Sequence, residues 1–215
     1  MSCSIVRDIN SKRMIMLTPP DKPQDLRVRR THLLLRKAFL DLMTEKDFQS
    51  ITVQDIADRA MINRATFYDH FVDKYALLEY SVRELFKETL HSKIPEEFTF
   101  SVENLHLLML TACEYLSGLR EHCLPKDQLI LPLVQTQITT AITEILITWI
   151  NEAHADGVAD PMLYQTTAAI TSWAIYGAAF YWSQQTERKS SNEFVSQSLP
   201  LVVAGLAQVI KVQTP

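Results

Sequence analysis

Residues 51–78 read ITVQDIADRAMINRATFYDHFVDKYALL, and this stretch carries the start signals of three successive helices. Thr52 predicts an N-cap, and Asp55 completes a Thr-x-x-Asp box in which each side chain satisfies the other residue's backbone N–H. Asn63 predicts the next cap and Asp73 the one after. Each cap follows an apolar residue that is matched five positions later: Ile51 with Ile56, Ile62 with Phe67, Val72 with Leu77. That is the spacing of a hydrophobic staple, in which the two side chains close over the helix start. The caps lie 11 and 10 residues apart, which leaves the first two helices about two turns each. Helices that short do not persist alone in water, so they need their caps and a shared core.

The core is legible on both sides of the stretch. Leu35, Ala38, Phe39, Leu42 and Met43 recur at helical spacing, predicting a helix from about Asp25 that stops near Lys46 and Asp47. Val53, Ile56, Ala57, Ile62, Phe67 and Phe71 are expected to bury against it, with a tight turn at Ala60-Met61-Ile62. Burying that set leaves Arg64, Ala65, Tyr68 and Asp69 on the outer face of the second short helix. A duplex major groove, about 12 Å wide, admits one helix. A helix entering it by its N-terminal end also brings unpaired N–H groups toward phosphate. This is the geometry of a helix-turn-helix reader.

Outward from this core the pattern is helical throughout. A helix is predicted from about Lys74 to His91, and another from Val102 to His122 with Leu105, Leu108, Met109, Ala112, Leu116 and Leu119 inward. A third ends near Ala155, with Pro132 kinking or splitting its start. Asp160-Pro161 marks a restart that reaches about Gln184. A last helix from about Asn192 to Lys211 is bent at Pro200. The fold class is therefore all-α: a three-helix head and a larger helical domain, about nine helices in all. Residues 1–24, with Pro19, Pro20 and Pro23, read as a disordered tail, or alternatively as a basic arm for a DNA groove. Residues 25–73 read as the head, and residues 74–215 as an effector-binding and dimerisation domain.

Charge separates the same two parts. Residues 1–75 hold 13 Lys/Arg against 10 Asp/Glu, whereas residues 76–215 hold 8 against 15. A basic front on an acidic back suits a nucleic-acid-contacting head. Chance scatter of surface charge predicts the same numbers about as well. Only 4 glycines are present, and no Gly-x-Ser-x-Gly, phosphate-cradling loop or HExxH occurs, so the sequence does not read as an enzyme or a nucleotide binder. The 3 cysteines, Cys3, Cys113 and Cys123, have neither disulfide nor zinc spacing. No metal, no cofactor, no membrane span and no signal peptide are expected, and the setting is cytoplasmic.

The run from Ile51 to Leu78, above all Thr66-Phe67-Tyr68-x-His70-Phe71 followed by Asp73-Lys74, closely resembles the TetR family of transcriptional regulators over residues 30–80. The pattern KDFxxITVxDI…INRATFY is similar to a subgroup that includes regulators of dihydroxyacetone kinase genes. The resemblance implies that Thr52, Tyr68, His70 and Lys74 lie at the DNA backbone and that Gln54, Arg64, Ala65 and Tyr68 face base edges. Asn63 and Thr66 complete the DNA-binding set. The side-chain chemistry agrees. Arg64 can pair with guanine and Gln54 with adenine. Lys74 can neutralise phosphate, and Arg27, Arg29 and Arg30 can flank the groove. Two positions depart from many relatives. Met61 stands where glycine is common in the turn, at a cost of about 1 kcal/mol if φ is positive. Asp47 stands where glycine often ends the first helix, and aspartate tolerates left-handed geometry better than most residues.

For the larger domain the resemblance implies a pocket for an unidentified small-molecule effector. The candidate lining residues are Met109, Cys113, Tyr115, Leu116, Ile145 and Trp149, with His106, His122 and His154 as polar handles. DNA sites for such readers are paired, so a homodimer is expected. The last two helices are the candidate dimer surface: Ala174, Gly177 and Ala178 allow close helix approach, and Tyr176, Phe180, Tyr181 and Trp182 supply contact area. The function expected is a ligand-responsive repressor on a palindromic site in double-stranded DNA. The alternatives are an activator of the same fold, or a helical module whose head contacts protein rather than DNA.

Overall fold

The computed structural model describes residues 23–94, 99–122, 130–153, 160–207 and 209–210. Among these residues there are eight α-helices and one 3-10 turn. The helices are α1 (Pro23–Glu45), α2 (Val53–Ala60), α3 (Arg64–His70), α4 (Lys74–His91), α5 (Val102–His122), α6 (Leu131–Ala153), α7 (Pro161–Gln184) and α8 (Ser191–Leu206), and the 3-10 turn (Phe48–Ser50) follows α1. Against about nine helices expected, α6 is continuous through its start. Pro132 occupies the second position of α6, where the first-turn N–H it lacks would have had no partner in the helix. The region read as a tail lies outside the described residues up to position 22, while Pro23 and Gln24 already belong to α1. The last helix stops at Leu206, and Lys211 lies outside the described residues.

The residues fall into two compact units, one of Met1–Ser81 with Glu121–Leu131, the other of Val82–Arg120 with Pro132–Pro215. In the first unit α1, α2 and α3 pack on one another. Leu35, Phe39, Phe48, Ile51, Ile56, Phe67 and Leu77 form the interior, each almost fully buried. Burying each such side chain stabilises the fold by about 1.5–3 kcal/mol, which is what holds two-turn helices together.

The caps form as the sequence prescribes. Thr52 accepts from the Asp55 N–H at 3.1 Å while the Asp55 carboxylate accepts from the Thr52 N–H at 2.8 Å, closing the box. Asn63 accepts from the Ala65 N–H at 2.8 Å, and Asp73 from the Ala76 N–H at 2.8 Å. Of the three staples, the first has both members buried and the second has Phe67 buried with Ile62 half-buried. The third does not close: Leu77 is buried but Val72 is 79% exposed. Val53, expected inside, is half-buried. Met61 adopts φ 55°, ψ 42°, so the residue that stands where glycine is common among relatives does take a positive φ. The Ile62 N–H donates to the Ala57 carbonyl at 3.0 Å, which closes a Schellman-type turn around it. Asp47 is extended, at φ −66° and ψ 145°, so no left-handed residue is required where α1 ends.

In the second unit the inward rows of α5 and α6 are buried as their spacing predicts. Asp160 caps α7 by accepting from the N–H groups of Met162 and Leu163 at 3.1 and 3.2 Å. Helix α8 packs on α7. The indole N–H of Trp182 donates to the Lys189 carbonyl at 2.9 Å, and the Arg188 guanidinium lies 4.5 Å over the same ring, fixing the connection between them. Glu144 on α6 receives Arg83 and Lys87 from α4. Its partial burial favours the neutral acid, but bonds from Lys87 and Arg83 outweigh this and hold the carboxyl below the usual carboxylate range.

Candidate nucleic-acid interface

Helix α3 has two faces. Phe67 is fully buried on one, and Arg64, Ala65, Tyr68 and Asp69 are exposed on the other. Tyr68 is 46% exposed, and the Arg64 guanidinium donates to its hydroxyl at 3.2 Å while lying 5.5 Å from the ring centroid. The pair holds a planar guanidinium at the start of α3, the form of donor that matches a guanine edge. Thr66 is half-buried beside Phe67.

Helix α2 presents Thr52 and Gln54 to solvent. The Gln54 amide donates to Asp58 on the same helix at 2.7 Å, so reading a base requires exchanging that bond. The Thr52 hydroxyl is engaged in the capping box, where Asp55 also meets Lys46 at 2.9 Å. Bonds from Lys46, then from the Thr52 hydroxyl and N–H, hold the Asp55 carboxyl well below the usual range. Arg59 meets Glu45 with two bonds, at 2.8 and 2.7 Å, and pins the end of α1 to α2. Arg27, Arg29 and Arg30 are exposed near the start of α1.

Two residues are placed in ways that the sequence did not reveal. His70 is half-buried, with its ring edge-on to His32 of α1 at 5.1 Å. His32 also packs against Phe71 at 4.9 Å and Tyr80 at 5.0 Å. Burial, and then the neighbouring His70, lower the proton affinity of His32. The only sequence signal for His32 is its place one turn before Leu35. Lys74 does not extend into solvent. Its ammonium donates to the carbonyls of Phe48, Gln49 and Ile51 at 3.0, 3.0 and 2.8 Å, and it lies 4.7 Å over the Phe48 ring.

The comparisons with known proteins agree with this geometry. The family model for "Bacterial regulatory proteins, tetR family" matches residues 35–80, the stretch that builds the second half of α1, all of α2 and α3, and the start of α4. Residues 35–80 thus form a head of TetR-family type. Two curated relatives are named as HTH-type regulators of transcription. An uncharacterized HTH-type transcriptional regulator, YxbF, of Bacillus subtilis (strain 168) is 38% identical over 95 residues, 42% of this chain and 25% of that protein. DhaS of Lactococcus lactis subsp. lactis (strain IL1403), the HTH-type dhaKLM operon transcriptional activator, is 36% identical over 61 residues, 28% of this chain and 33% of that protein. The chain thus spans a third or less of the length of these relatives. Among solved structures, the TetR family repressor AlkX from Dietzia sp. strain DQ12-45-1b has the same fold, with TM-score 0.55 and 15% identity over 82% of this chain and 98% of that one.

In the second unit, Met109, Cys113, Tyr115, Leu116, Ile145 and Trp149 are all buried in the interior. The Tyr115 hydroxyl donates to the Val82 carbonyl at 3.1 Å, and its ring meets Phe86 edge-on at 5.6 Å. Burial, with Glu114 adding to it, pushes the Cys113 thiol up to about 12, so it stays protonated and unreactive. His106 is half-buried, while His154 and the side chain of His122 lie outside the described residues. Thr111, which sequence reasoning did not single out, is 0% exposed, and its hydroxyl has no hydrogen-bond partner among the described residues. Thr89, Thr136, Thr139, Thr143 and Thr148 instead donate to the carbonyl one turn before them.

On α7, Ala174, Gly177 and Tyr181 are exposed and Ala178 is half-buried. They share the uncovered side with Ile170, Trp173 and Phe180. Tyr176 and Trp182, expected to add contact area there, are buried in the unit's own core. Their positions fall on the inward turn of α7 with Ala168, Ile175 and Ala179. No helix among the described residues is long and apolar enough to cross a membrane.

Proposed function

We propose that this chain is a ligand-responsive transcriptional repressor that binds a palindromic site in double-stranded DNA as a homodimer in the cytoplasm. The observation that carries the reading is α3 itself: a capped two-turn helix anchored by Phe67, with Arg64 and Tyr68 paired on its open face. Arg64, Ala65 and Tyr68 meet base edges, joined by Gln54 after it exchanges its bond with Asp58. Thr52, Asn63, Thr66 and His70 sit at the backbone of the site. A two-fold dimer sets two such helices about one duplex turn apart, ~34 Å.

The dimer surface proposed is the open side of α7 and α8. Ile170 is 66% and Tyr181 63% exposed, and a Cβ added at Gly177 or Gly205 would meet nothing. A second copy can therefore bring its backbone close at both glycines. The effector enters the interior of the second unit among Met109, Cys113, Tyr115, Leu116, Ile145 and Trp149. The unpartnered Thr111 hydroxyl offers it one hydrogen bond in an apolar setting. Effector binding favours a dimer state with the wrong head spacing, with α4 as the link, since its residues belong to both units.

The name of the Lactococcus relative favours a second reading, an activator of the same design. Repression and activation differ in where the site lies relative to the promoter. The test is selection of duplexes from a random-sequence pool, then titration of the selected duplex against rising salt. Recovery of an inverted repeat bound with a steep negative salt dependence supports the reading. A head that selects no duplex sinks it. Arg64→Ala is expected to cost about 1–3 kcal/mol and to relax preference at one base position in each half-site. A reporter carrying the selected repeat then separates repressor from activator by the sign of its response.

A further inference from the structure

Lys74 is the first residue of α4 and follows a cap, Asp73, that already serves the helix start. A lysine there would ordinarily trail its ammonium into solvent, where a phosphate could reach it. Instead the chain folds the ammonium back by 23 to 26 residues onto three carbonyls, those of Phe48, Gln49 and Ile51. These belong to the 3-10 turn and to the residue just before the Thr52 cap. The Phe48 carbonyl already accepts from the Ile51 N–H at 3.1 Å within the turn, and the ammonium, with three N–H bonds to give, adds a charged donor to it and to the Gln49 and Ile51 carbonyls. The rings of Phe48 and Tyr75, 4.7 and 5.8 Å from the nitrogen, surround the charge with π density, and the rings themselves meet edge-on at 5.0 Å.

We infer that Lys74 is a positioning residue for DNA reading and not a phosphate contact: its ammonium clamps the segment leading into α2 to the first turn of α4. The inference rests on the DNA-binding reading above. Its physical consequence is a fixed frame for the reader. The segment 48–52 sets where α2 begins, and α2 sets where Gln54 and, through the turn at Met61, α3 lie. With the ammonium removed, three carbonyls lose a charged donor, the Phe48 carbonyl keeping the Ile51 N–H, and the start of α2 can shift, although no charge that faces DNA has gone. Bonds from a charged donor are worth more than neutral ones, so the loss is felt in geometry as well as in stability.

The experiment compares wild type, Lys74→Met, Lys74→Arg and, as a reference for a DNA-facing charge, Arg64→Ala. Each is titrated with the duplex that the wild type selects from a random pool, over a range of salt, with folded protein quantified in each sample. Lys74→Met is expected to weaken binding about tenfold or more at every salt concentration while leaving the salt slope unchanged. Lys74→Arg is expected to recover part of the loss, because a guanidinium still offers several N–H donors. Amides of residues 48–52 are expected to exchange faster in Lys74→Met. A salt slope lowered by about 1.8 for the dimer overturns the inference, because it is the signature of one lost phosphate contact per head. Unchanged affinity per folded molecule, with only a lower unfolding midpoint, overturns it too, because Lys74 would then merely stabilise.

Should Lys74→Met fail to fold, the wild-type protein still decides. The Lys74 ammonium is expected to exchange its protons slowly by nitrogen-15 NMR and to keep its shift when duplex is added. A shift change on DNA addition to that of a phosphate-bound ammonium overturns the inference. Failure of the wild type to bind any duplex would instead refute the DNA-binding reading, a result distinct from either.

Discussion

Helices α3 and α7 each leave one face uncovered, and the contrast between those faces separates two kinds of partner. The open face of α3 carries Arg64, Tyr68 and Asp69 on a helix of 7 residues, with a guanidinium held against a phenol. The open face of α7 carries Ile170, Trp173, Ala174, Gly177 and Tyr181 along a helix of 24 residues, with no charged residue among its members. A charged, hydrogen-bonding face costs little to leave in water and suits the polar edges of bases. An apolar face of that length, interrupted by small residues, is expensive to leave in water and suits another protein surface. One molecule thus carries a polar face and an apolar one, and under the proposed function they should respond differently to substitution.

The largest expected effect lies on α7. Gly177→Glu puts a charge and three side-chain carbons into the close-approach position, where the space beside the backbone is otherwise open. It should leave the monomer folded, abolish the dimer by sedimentation, and weaken binding to a two-half-site duplex by about 100-fold or more through lost avidity. A dimer that persists in Gly177→Glu breaks the comparison. On α3 the neighbouring pair Phe67 and Tyr68 tests the two faces of one helix. Phe67→Ala should cost about 3–5 kcal/mol of stability by chemical denaturation. Tyr68→Ala should stay within about 0.5 kcal/mol in stability while losing DNA affinity. Equal destabilisation by both would mean that Tyr68 belongs to the core.

Smaller effects sharpen how α3 is held. Met61→Gly relieves a left-handed residue whose side chain is 89% exposed, so nothing is lost in packing. The unfolding free energy should rise by up to about 1 kcal/mol. The smallest effect concerns pH. His32 has a lowered proton affinity in the folded head, through burial and then through His70. The unfolded chain therefore takes up this proton more readily. The stabilising contribution is complete above the ordinary histidine range, about 6.5, and is lost as pH falls below it. His32→Phe should flatten the fall in unfolding midpoint between about pH 7.5 and about 5.5. An unchanged slope would show that His32 does not carry it.

The head was legible because its information is local. Thr52 with Asp55, Asn63 and Asp73 announce caps within three residues of the groups they satisfy, and Phe67 and Tyr68 are assigned to opposite faces by helical angle alone. Met61 comes under suspicion of positive φ only through the resemblance, because glycine is common at its place in the turn. Where the same reasoning went astray, a residue's neighbours were distant in the chain. Val72 has staple spacing to Leu77, but Leu77 is buried while Val72 is 79% exposed, so the staple does not close. Tyr176 and Trp182 look like surface aromatics beside Tyr181, yet they are buried with Ala168, Ile175 and Ala179 on the inward side of α7.

By itself the sequence determined the helices, their caps, the division of α3 into an inner and an outer face, and the TetR-type motif, since all of these depend on residues within a turn or two of each other. Only the tertiary structure decided that Lys74 folds back onto Phe48, Gln49 and Ile51, that His32 meets His70, and that Thr111 is buried without a partner among the described residues. The reason is physical. A side chain's long-range partner depends on how helices pack, and packing is set by the whole interior at once, whereas a cap or a helical face is set by a few neighbouring backbone groups.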